Sequence, residues 1–329
     1  GTQGSVRVGG TWSTGGNLNT GRGCGVMWGT KNGAIYAGGA PGSPSANGIC
    51  TEQYNGSSWT ELNNMTVGAT QAGGFGGNTE SGLVTGGYNG SNISTTQIWN
   101  GTNWSTATDN LRVGSYYNGA GTSVNAGIIF NGYPAACAQE WDGCTWTAIA
   151  NPNESAIRNA GTGESPTAAM VAGGDPTPAP MYCRVQIWDG TSWSYVNRLS
   201  VGRRYQGMFG TTNDAVVAGG HSWQPHLPDS VKDYPNSPSG NRLTEIWNGN
   251  TWSETSKLPG VHHYGSGNGG AGGTDVGLVT GGLPNASFTY EFENHTSSGS
   301  FAHFEVQHKG EVEVERFNIT GSTFKLPSF

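Results

Sequence analysis

Four arginines and a histidine recur at one kind of place in this chain. Arg22, Arg158, Arg203 and Arg204 each stand a few residues ahead of a stretch that leads into an apolar run, and His262 stands at a similar offset in a sixth copy. Tyr116 and His263 occupy neighbouring offsets. A guanidinium offers a planar fork that holds a carboxylate or sulfate through two parallel hydrogen bonds. An aromatic ring beside it adds a face for stacking and for cation–π contact. The combination suits an acidic or sulfated sugar. The same arginines have a structural reading, in which they hydrogen-bond loop carbonyls between neighbouring units. A second cluster, His221, Trp223, His226 and Tyr234, lies among the four prolines of the segment 221–241. Aromatic and imidazole groups on one long connection read as a ligand- or partner-binding loop, or as plain surface.

Catalysis has weaker support. His262, His263 and Tyr264 are consecutive, but adjacent side chains on a strand point to opposite faces and do not converge on one metal ion. Neither a Gly-x-Ser-x-Gly elbow nor a paired-carboxylate signature occurs. No catalytic residue, metal ligand or cofactor is therefore assigned, and the chain reads as non-enzymatic. The five cysteines (Cys24, Cys50, Cys137, Cys144, Cys183) have no metal-ligand spacing. Their odd number rules out a full disulfide framework and leaves one or two bridges open.

These residues must be positioned by something rigid, and composition says what. Of 329 residues, 57 are Gly, 12 Trp, 12 Tyr and 10 Phe. Each Gly costs a helix about 1 kcal/mol, whereas short strands with tight turns accommodate both Gly and aromatics. A pattern of aromatic, Asn or Asp, Gly and, three residues on, Trp recurs at Tyr54-Asn55-Gly56…Trp59, Trp99-Asn100-Gly101…Trp104, Trp141-Asp142-Gly143…Trp146, Trp188-Asp189-Gly190…Trp193 and Trp247-Asn248-Gly249…Trp252. Upstream of each lies an apolar run ending in small residues: 34–39, 82–87, 127–132, 169–174, 215–220 and, in a sixth copy, 277–282. Successive copies are mostly 42 to 48 residues apart, with one longer interval, a period that suits four short strands per unit. Asn-Gly and Asp-Gly predict a type I′ turn joining third and fourth strands. The apolar run predicts a second strand covered on both faces, and the Trp residues fill the wide outer wedge between sheets.

The two ends of the repeat complement each other. Gly10-Thr11-Trp12-Ser13 reads as an orphan fourth strand, while the last unit, with strands predicted over 262–267, 276–282 and 288–292, lacks one. Pairing them beside Tyr290 and Phe292 closes a ring and removes exposed sheet edges. The predicted architecture is an all-β, six-bladed β-propeller over residues 1–294, with a C-terminal β-hairpin or arm over 295–329. In such a ring the long connections after the second strands and the entrances to the first strands share one face. Aligning the first-strand entrances gives Arg22, Ala69, Ser115, Arg158, Arg203 and His262 around the channel mouth, with Tyr116 and Arg204 one position on.

Charge narrows the partners. The formal net charge is −7 and the isoelectric point near 5.4, which disfavours binding to nucleic-acid phosphates. No apolar run approaches the length of a membrane span. The opening residues, GTQGSVRVGG, do not read as a secretory signal, and the missing initiator Met reads as processing or a fragment.

The diglycine after an apolar strand, followed by a spaced aromatic and Trp, resembles the kelch repeat. The wording Thr51-Glu52-Gln53-Tyr54-Asn55-Gly56-Ser57-Ser58-Trp59-Thr60, with Leu18-Asn19-Thr20-Gly21-Arg22, is more similar to divergent kelch-like repeats in structural proteins of marine bacteriophages, cyanophages in particular. The resemblance covers about residues 11–294; Phe130-Asn131-Gly132 and the long fifth-unit insertion depart from it. It implies a virion protein, a tail fibre or decoration protein at the virion surface, in an extracellular setting, used for host attachment. A secreted bacterial carbohydrate-binding or carbohydrate-active propeller is the alternative, and an intracellular adaptor is disfavoured. Kelch-fold copper oxidases use a Cys–Tyr cross-link that has no counterpart here.

Beyond about His295 the composition changes. Segment 300–308 and segment 311–317 alternate as strands around Lys309-Gly310, and the end, Gly321-Ser322-Thr323-Phe324-Lys325-Leu326-Pro327-Ser328-Phe329, is similar to endings of cyanophage virion proteins. Phe301, Phe304, Phe317, Phe324, Leu326 and Phe329 are the expected docking surface. They would bind this ring, other virion proteins or copies of the same chain by strand addition. Host-surface glycan is the other expected partner; nucleic acid and membrane insertion are not.

Overall fold

In the computed structural model, the described residues are 3–40, 48–116, 118–132, 137–154, 156–176, 183–222, 241–262, 271–272, 276–282, 286–300, 317–319 and 322–324. They contain no helix and form six four-stranded antiparallel sheets. Blade 1 comprises Val26–Thr30, Gly33–Ala37, Thr51–Tyr54 and Trp59–Leu62. Blade 2 comprises Gly73–Asn78, Ser81–Thr85, Thr96–Trp99 and Trp104–Thr106. Blade 3 comprises Asn118–Ser123, Ala126–Phe130, Gln139–Trp141 and Trp146–Ala148. Blade 4 comprises Ala160–Ser165, Ala168–Ala172, Val185–Trp188 and Trp193–Val196, and blade 5 Gly207–Gly210, Ala215–Ala218, Thr244–Trp247 and Trp252–Glu254. Blade 6 comprises Ala271–Gly272, Val276–Thr280, Thr289–Ser300 and the N-terminal strand Gln3–Thr14. The innermost strands pack side by side around the axis, and the last returns to the first. The chain is a six-bladed β-propeller closed by its own N-terminus.

The closing register is the expected one: Trp12 faces Phe292 and Thr14 faces Tyr290. Pairing continues past the ring to Gln3↔Ser300, with a register shift between Arg7 and Gly10. The two chain ends thus run together as a ribbon through the point where the composition changes. Farther on, Phe317–Ile319 pairs with Ser322–Phe324, placing Phe317 opposite Phe324. The strands expected over 300–308 and 311–317 lie almost wholly outside the described residues, as do Phe301, Phe304, Leu326 and Phe329.

Each diglycine stitches a blade to the next. Gly38 and Gly39 have φ of +69° and +90°, and a Cβ on Gly38 would sit 2.5 Å from the Ala69 carbonyl oxygen at the entrance to blade 2. That approach lets the Gly39 N–H donate to the Ala69 carbonyl at 2.9 Å. The same bond joins Gly87 to Ser115, Gly174 to Arg203, Gly220 to His262 and, across the closure, Gly282 to Arg22. Asn131 takes the first glycine's place in blade 3 with φ of 59°, a conformation that Asn tolerates better than most residues.

Between blades the core is aromatic. Facing pairs recur at Trp99–Trp104, Trp141–Trp146, Trp188–Trp193 and Trp247–Trp252, with centroids 5.2 to 5.5 Å apart. The outer Trp of each pair donates its indole N–H backwards around the ring. Trp59, Trp104, Trp146 and Trp12 reach the hydroxyls of Thr289, Thr51, Thr96 and Thr244. Where the preceding blade has Ala138 or Val185 at that position, Trp193 and Trp252 turn to the carbonyls of Ala150 and Asn197. The rule is simple: a buried indole finds an acceptor.

The turns between third and fourth strands lie where expected but are not of type I′. Tyr54 pairs with Trp59, so four residues form the loop. Gly56 has φ of +90°, while Asn55 is not among the positive-φ residues. Instead the Asn55 Oδ1 accepts the N–H groups of Ser57 and Ser58 at 3.0 and 2.9 Å. This Asx turn satisfies two backbone donors from one side chain. Asp142 and Asp189 do the same, and these bonds hold the Asp189 carboxyl down at about 2. Asn100→Asp is therefore expected to preserve the fold at neutral pH. The lowered carboxyl of the new side chain would make its contribution present above about pH 4 and lost as pH falls toward 2. Asn100→Ala should lower stability by about 1 kcal/mol. Urea midpoints at pH 7 and pH 3 separate these outcomes; equal midpoints for the two variants at pH 7 would count against the turn's role.

Candidate binding site at the channel mouth

Two of the predicted mouth arginines are not at the surface. Arg22 and Arg203 are fully buried. Arg22 donates through Nε to the Gly38 carbonyl at 2.9 Å and through its terminal nitrogens to the carbonyls of Thr20 and Tyr36, and it pairs with Glu52. Its guanidinium also lies 4.7 Å from the centre of the Tyr36 ring. Arg203 donates to the Leu243 carbonyl at 3.1 Å and pairs with Glu245. Both are internal fixtures, so their assignment to a ligand is corrected: these two residues have the structural role. His262 is buried as well, with its ring 6.5 Å from that of Tyr290.

Arg158 also changes place. Residues two positions beyond the entrance carry positive φ: Cys24 (60°), Gln71 (55°) and Tyr205 (55°). Arg158, at 61°, belongs to this set, and the N–H of Tyr205 donates to the Arg158 carbonyl just as Gln71 donates to Cys24. The equivalent of Arg22 in blade 4 is therefore Ala156. With that register the third-strand partners are Glu52, Gln97, Gln139, Gln186, Glu245 and Tyr290, each opposite the second-strand residue two places before the diglycine position. Arg22 and Arg203 face Glu; Ala69, Ser115 and Ala156 accompany Gln; His262 accompanies Tyr290. Charge is matched blade by blade within a single chain. Whatever its charge, the Glu or Gln latches the incoming connection by accepting a backbone N–H from Asn19, Val67, Arg112, Asn153 or Ser200.

What remains at the mouth is a smaller cluster. The ends of two short ribbons, Ala156–Ile157 with Asp175–Pro176 and Arg203–Arg204 with His221–Ser222, set Ile157 opposite Asp175 and Arg204 opposite His221. The Asp175 Oδ2 accepts hydrogen bonds from Arg158 at 3.0 Å and Arg204 at 2.6 Å. Both guanidinium groups flank the Tyr205 ring, at 5.4 and 5.8 Å from its centre. The Arg158 and Arg204 side chains are 35% and 26% exposed, so solvent and a ligand reach them. The Arg204 Nε and the His221 Nδ1 are buried without a hydrogen-bond partner among the described residues. Burial, and next the Arg204 charge, hold the His221 imidazole below its ordinary value, against the pull of Asp175. Two cations share one carboxylate, so the cluster carries net positive charge on a chain of net charge −7.

The remaining predicted residues are elsewhere. Tyr116 is half-buried and packs edge-on against Tyr88, 6.0 Å away. Trp223, His226 and Tyr234 lie outside the described residues. Asp175 and Tyr205 are not among the residues that sequence reasoning selects, though both follow a landmark. Asp175 comes directly after Gly173-Gly174, at the position His221 holds after Gly219-Gly220.

Among the described residues no group of three His, Cys, Asp or Glu is placed to hold a metal ion. All five cysteines are free, and burial pushes the Cys24 thiol up to about 12, with Arg158 as a smaller opposing influence.

The chain matches no protein-family model, and no curated protein matches it. Among solved structures it is similar to one described as the structure of YjhT, with a TM-score of 0.63 and 13% identity over 84% of this chain and 95% of that one. At that identity the likeness supports the propeller fold alone.

Proposed function

We propose that the protein is a non-enzymatic display module of a phage-type virion, binding an acidic host-surface glycan at the mouth of its loop-bearing face. The observation that carries the reading is the convergence of Arg158 and Arg204 on Asp175 beside Tyr205, partly exposed and with net positive charge. An anionic group from a ligand would compete with Asp175 for the guanidinium forks, as charge-assisted pairs do. The virion setting rests on the kelch-like repeat wording, and the ribbon of chain ends and the Phe317–Phe324 hairpin would supply the attachment.

The variant Arg158→Ala/Arg204→Ala is expected to lose at least tenfold in affinity for acidic oligosaccharides, about 1.4 kcal/mol, with little change in melting temperature. Asp175→Asn removes the competing carboxylate and is expected to strengthen binding. His221 adds a pH dependence. Its lowered value means that the folded protein binds fewer protons than the unfolded chain, so its share of stability declines as pH falls below about 6.5. A bound anion would raise that value, so affinity is expected to rise between pH 7 and about 5.5, and His221→Gln to flatten the rise. Glycan-array profiles unchanged by the double arginine variant would sink the site; absence from purified virions would sink the setting.

A further inference from the structure

A second polar concavity lies on the same face, at the rim of blade 4. It is an open groove of about 390 Å³ lined by Glu154, Arg184, Tyr195, Val196 and Arg198. Topology explains the placement. Glu154 lies on the connection entering blade 4, Arg184 precedes its third strand, and Val196 ends its outermost strand with Arg198 just beyond. In an antiparallel blade those ends all emerge on the face that carries the mouth cluster.

The groove has the parts of a sugar platform. Tyr195 is 50% exposed and is the only aromatic among the exposed large hydrophobic residues described. Arg184 stacks over its ring at 5.9 Å and pairs with Glu154. Arg198 is exposed and makes neither an ion pair nor a hydrogen bond among the described residues. A wet Tyr flanked by guanidinium groups has the composition of a recognition patch, where Tyr and Arg are enriched over the rest of a surface. Glu154 and Arg184 also line a small pocket with Ala156 and Asn159. Groove and mouth cluster thus lie along one strip of this face, since Ala156 of that pocket belongs to the ribbon that sets Ile157 opposite Asp175. Across this strip, four guanidinium groups (Arg158, Arg184, Arg198, Arg204) face two carboxylates (Glu154, Asp175).

We propose that the blade 4 rim groove is a second subsite for a sugar bearing a carboxylate or sulfate, so that this face holds an extended acidic polysaccharide rather than a terminal sugar. This rests on the mouth reading above and deepens it. The Tyr195 ring would stack on a pyranose face, Arg198 would take the acidic group, and Glu154 would accept from a hydroxyl. Two weak subsites joined by one chain bind with the gain of an intramolecular second contact.

The test is calorimetric titration of the full chain with oligogalacturonates and sulfated oligosaccharides from mono- to hexasaccharide, with neutral maltohexaose as control. The wild type is expected to gain about tenfold or more in affinity with length. Tyr195→Ala and Arg198→Ala should abolish that gain, leaving hexasaccharide affinity near that of the monosaccharide. If length dependence survives in both variants, or is absent from the wild type, the rim subsite is overturned while the mouth stands. If the Arg158→Ala/Arg204→Ala variant binds normally and Tyr195→Ala does not, the mouth reading fails, and with it the extended-chain form of this proposal. Equal binding of maltohexaose, or no binding of any acidic length, overturns both sites.

Discussion

Replacing Arg203 with Ala is expected to lower stability by about 3–5 kcal/mol, and adding Glu245→Gln to restore most of it. The first figure, about 3–5 kcal/mol, is what breaking a buried ion pair costs when one charge is left without its partner. Arg203 and Glu245 are both essentially inaccessible, so a lone Glu245 carboxylate would have no water to turn to. The second expectation has precedents inside the same molecule. Blades 2 and 4 hold Ala69 with Gln97 and Ala156 with Gln186, and the Gln still accepts the connecting N–H, from Val67 and Asn153 at 2.9 Å each. The Ser200 N–H, now 2.7 Å from the Glu245 Oε1, would find its acceptor in the amide carbonyl of the Glu245→Gln side chain. A residual deficit is expected from the lost bond to Leu243 and from a void like the one of about 10 Å³ beside Ala156. Urea midpoints at constant slope measure both steps. A double variant as weak as the single one would show that the guanidinium, not charge balance, holds the blade.

How much of this is legible in sequence depends on what kind of order a residue obeys. The ring, the blade count and the closure by Trp12 follow from the diglycines and the Asn-Gly or Asp-Gly marks, because backbone geometry forces those residues into fixed places. The turn type escapes a dipeptide rule because an Asx side chain can replace a backbone hydrogen bond. An entrance position reads as exposed, which puts Arg22 and Arg203 at the mouth. In the ring the entrance lies under the preceding blade's diglycine, and each Arg has its Glu thirty or more residues away, at Glu52 and Glu245. That pairing is readable from the chain, but only by comparing two positions across all units at once. Arg158 slips by two residues in the alignment because blade 4 lacks the arginine that marks the register elsewhere. The mouth cluster itself depends on Asp175 and Tyr205 meeting Arg158 and Arg204 from neighbouring blades, a juxtaposition set by the ring and not by spacing.

Deleting residues 1–14 should be more damaging than any single core substitution outside blade 6. The N-terminal strand is the outer edge of that blade, paired with Thr289–Ser300 along its length. Its Trp12 ring lies 5.0 Å from Phe292 and 6.4 Å from Phe209 of blade 5, and its indole N–H bonds Thr244 at 3.0 Å. Trp12→Ala alone removes this wedge and is expected to cost about 3 kcal/mol, the low end for a large aromatic because the residue is only half-buried. The deletion removes the wedge and a row of strand hydrogen bonds together, leaving the 289–300 strand as a long unpaired edge. Such edges recruit other chains, so the truncated protein should elute as oligomers and melt less cooperatively, while Trp12→Ala stays monomeric with a lowered midpoint. A synthetic peptide of residues 1–16 supplied in excess should restore the monomer, since the groove it fills is formed by strands that remain. A monomeric truncation with an unchanged melting curve would mean that blade 6 stands on three strands and that the N-terminus does not close the ring. Restoration by the peptide would instead assign to one noncovalent strand the work of holding first and last blades together.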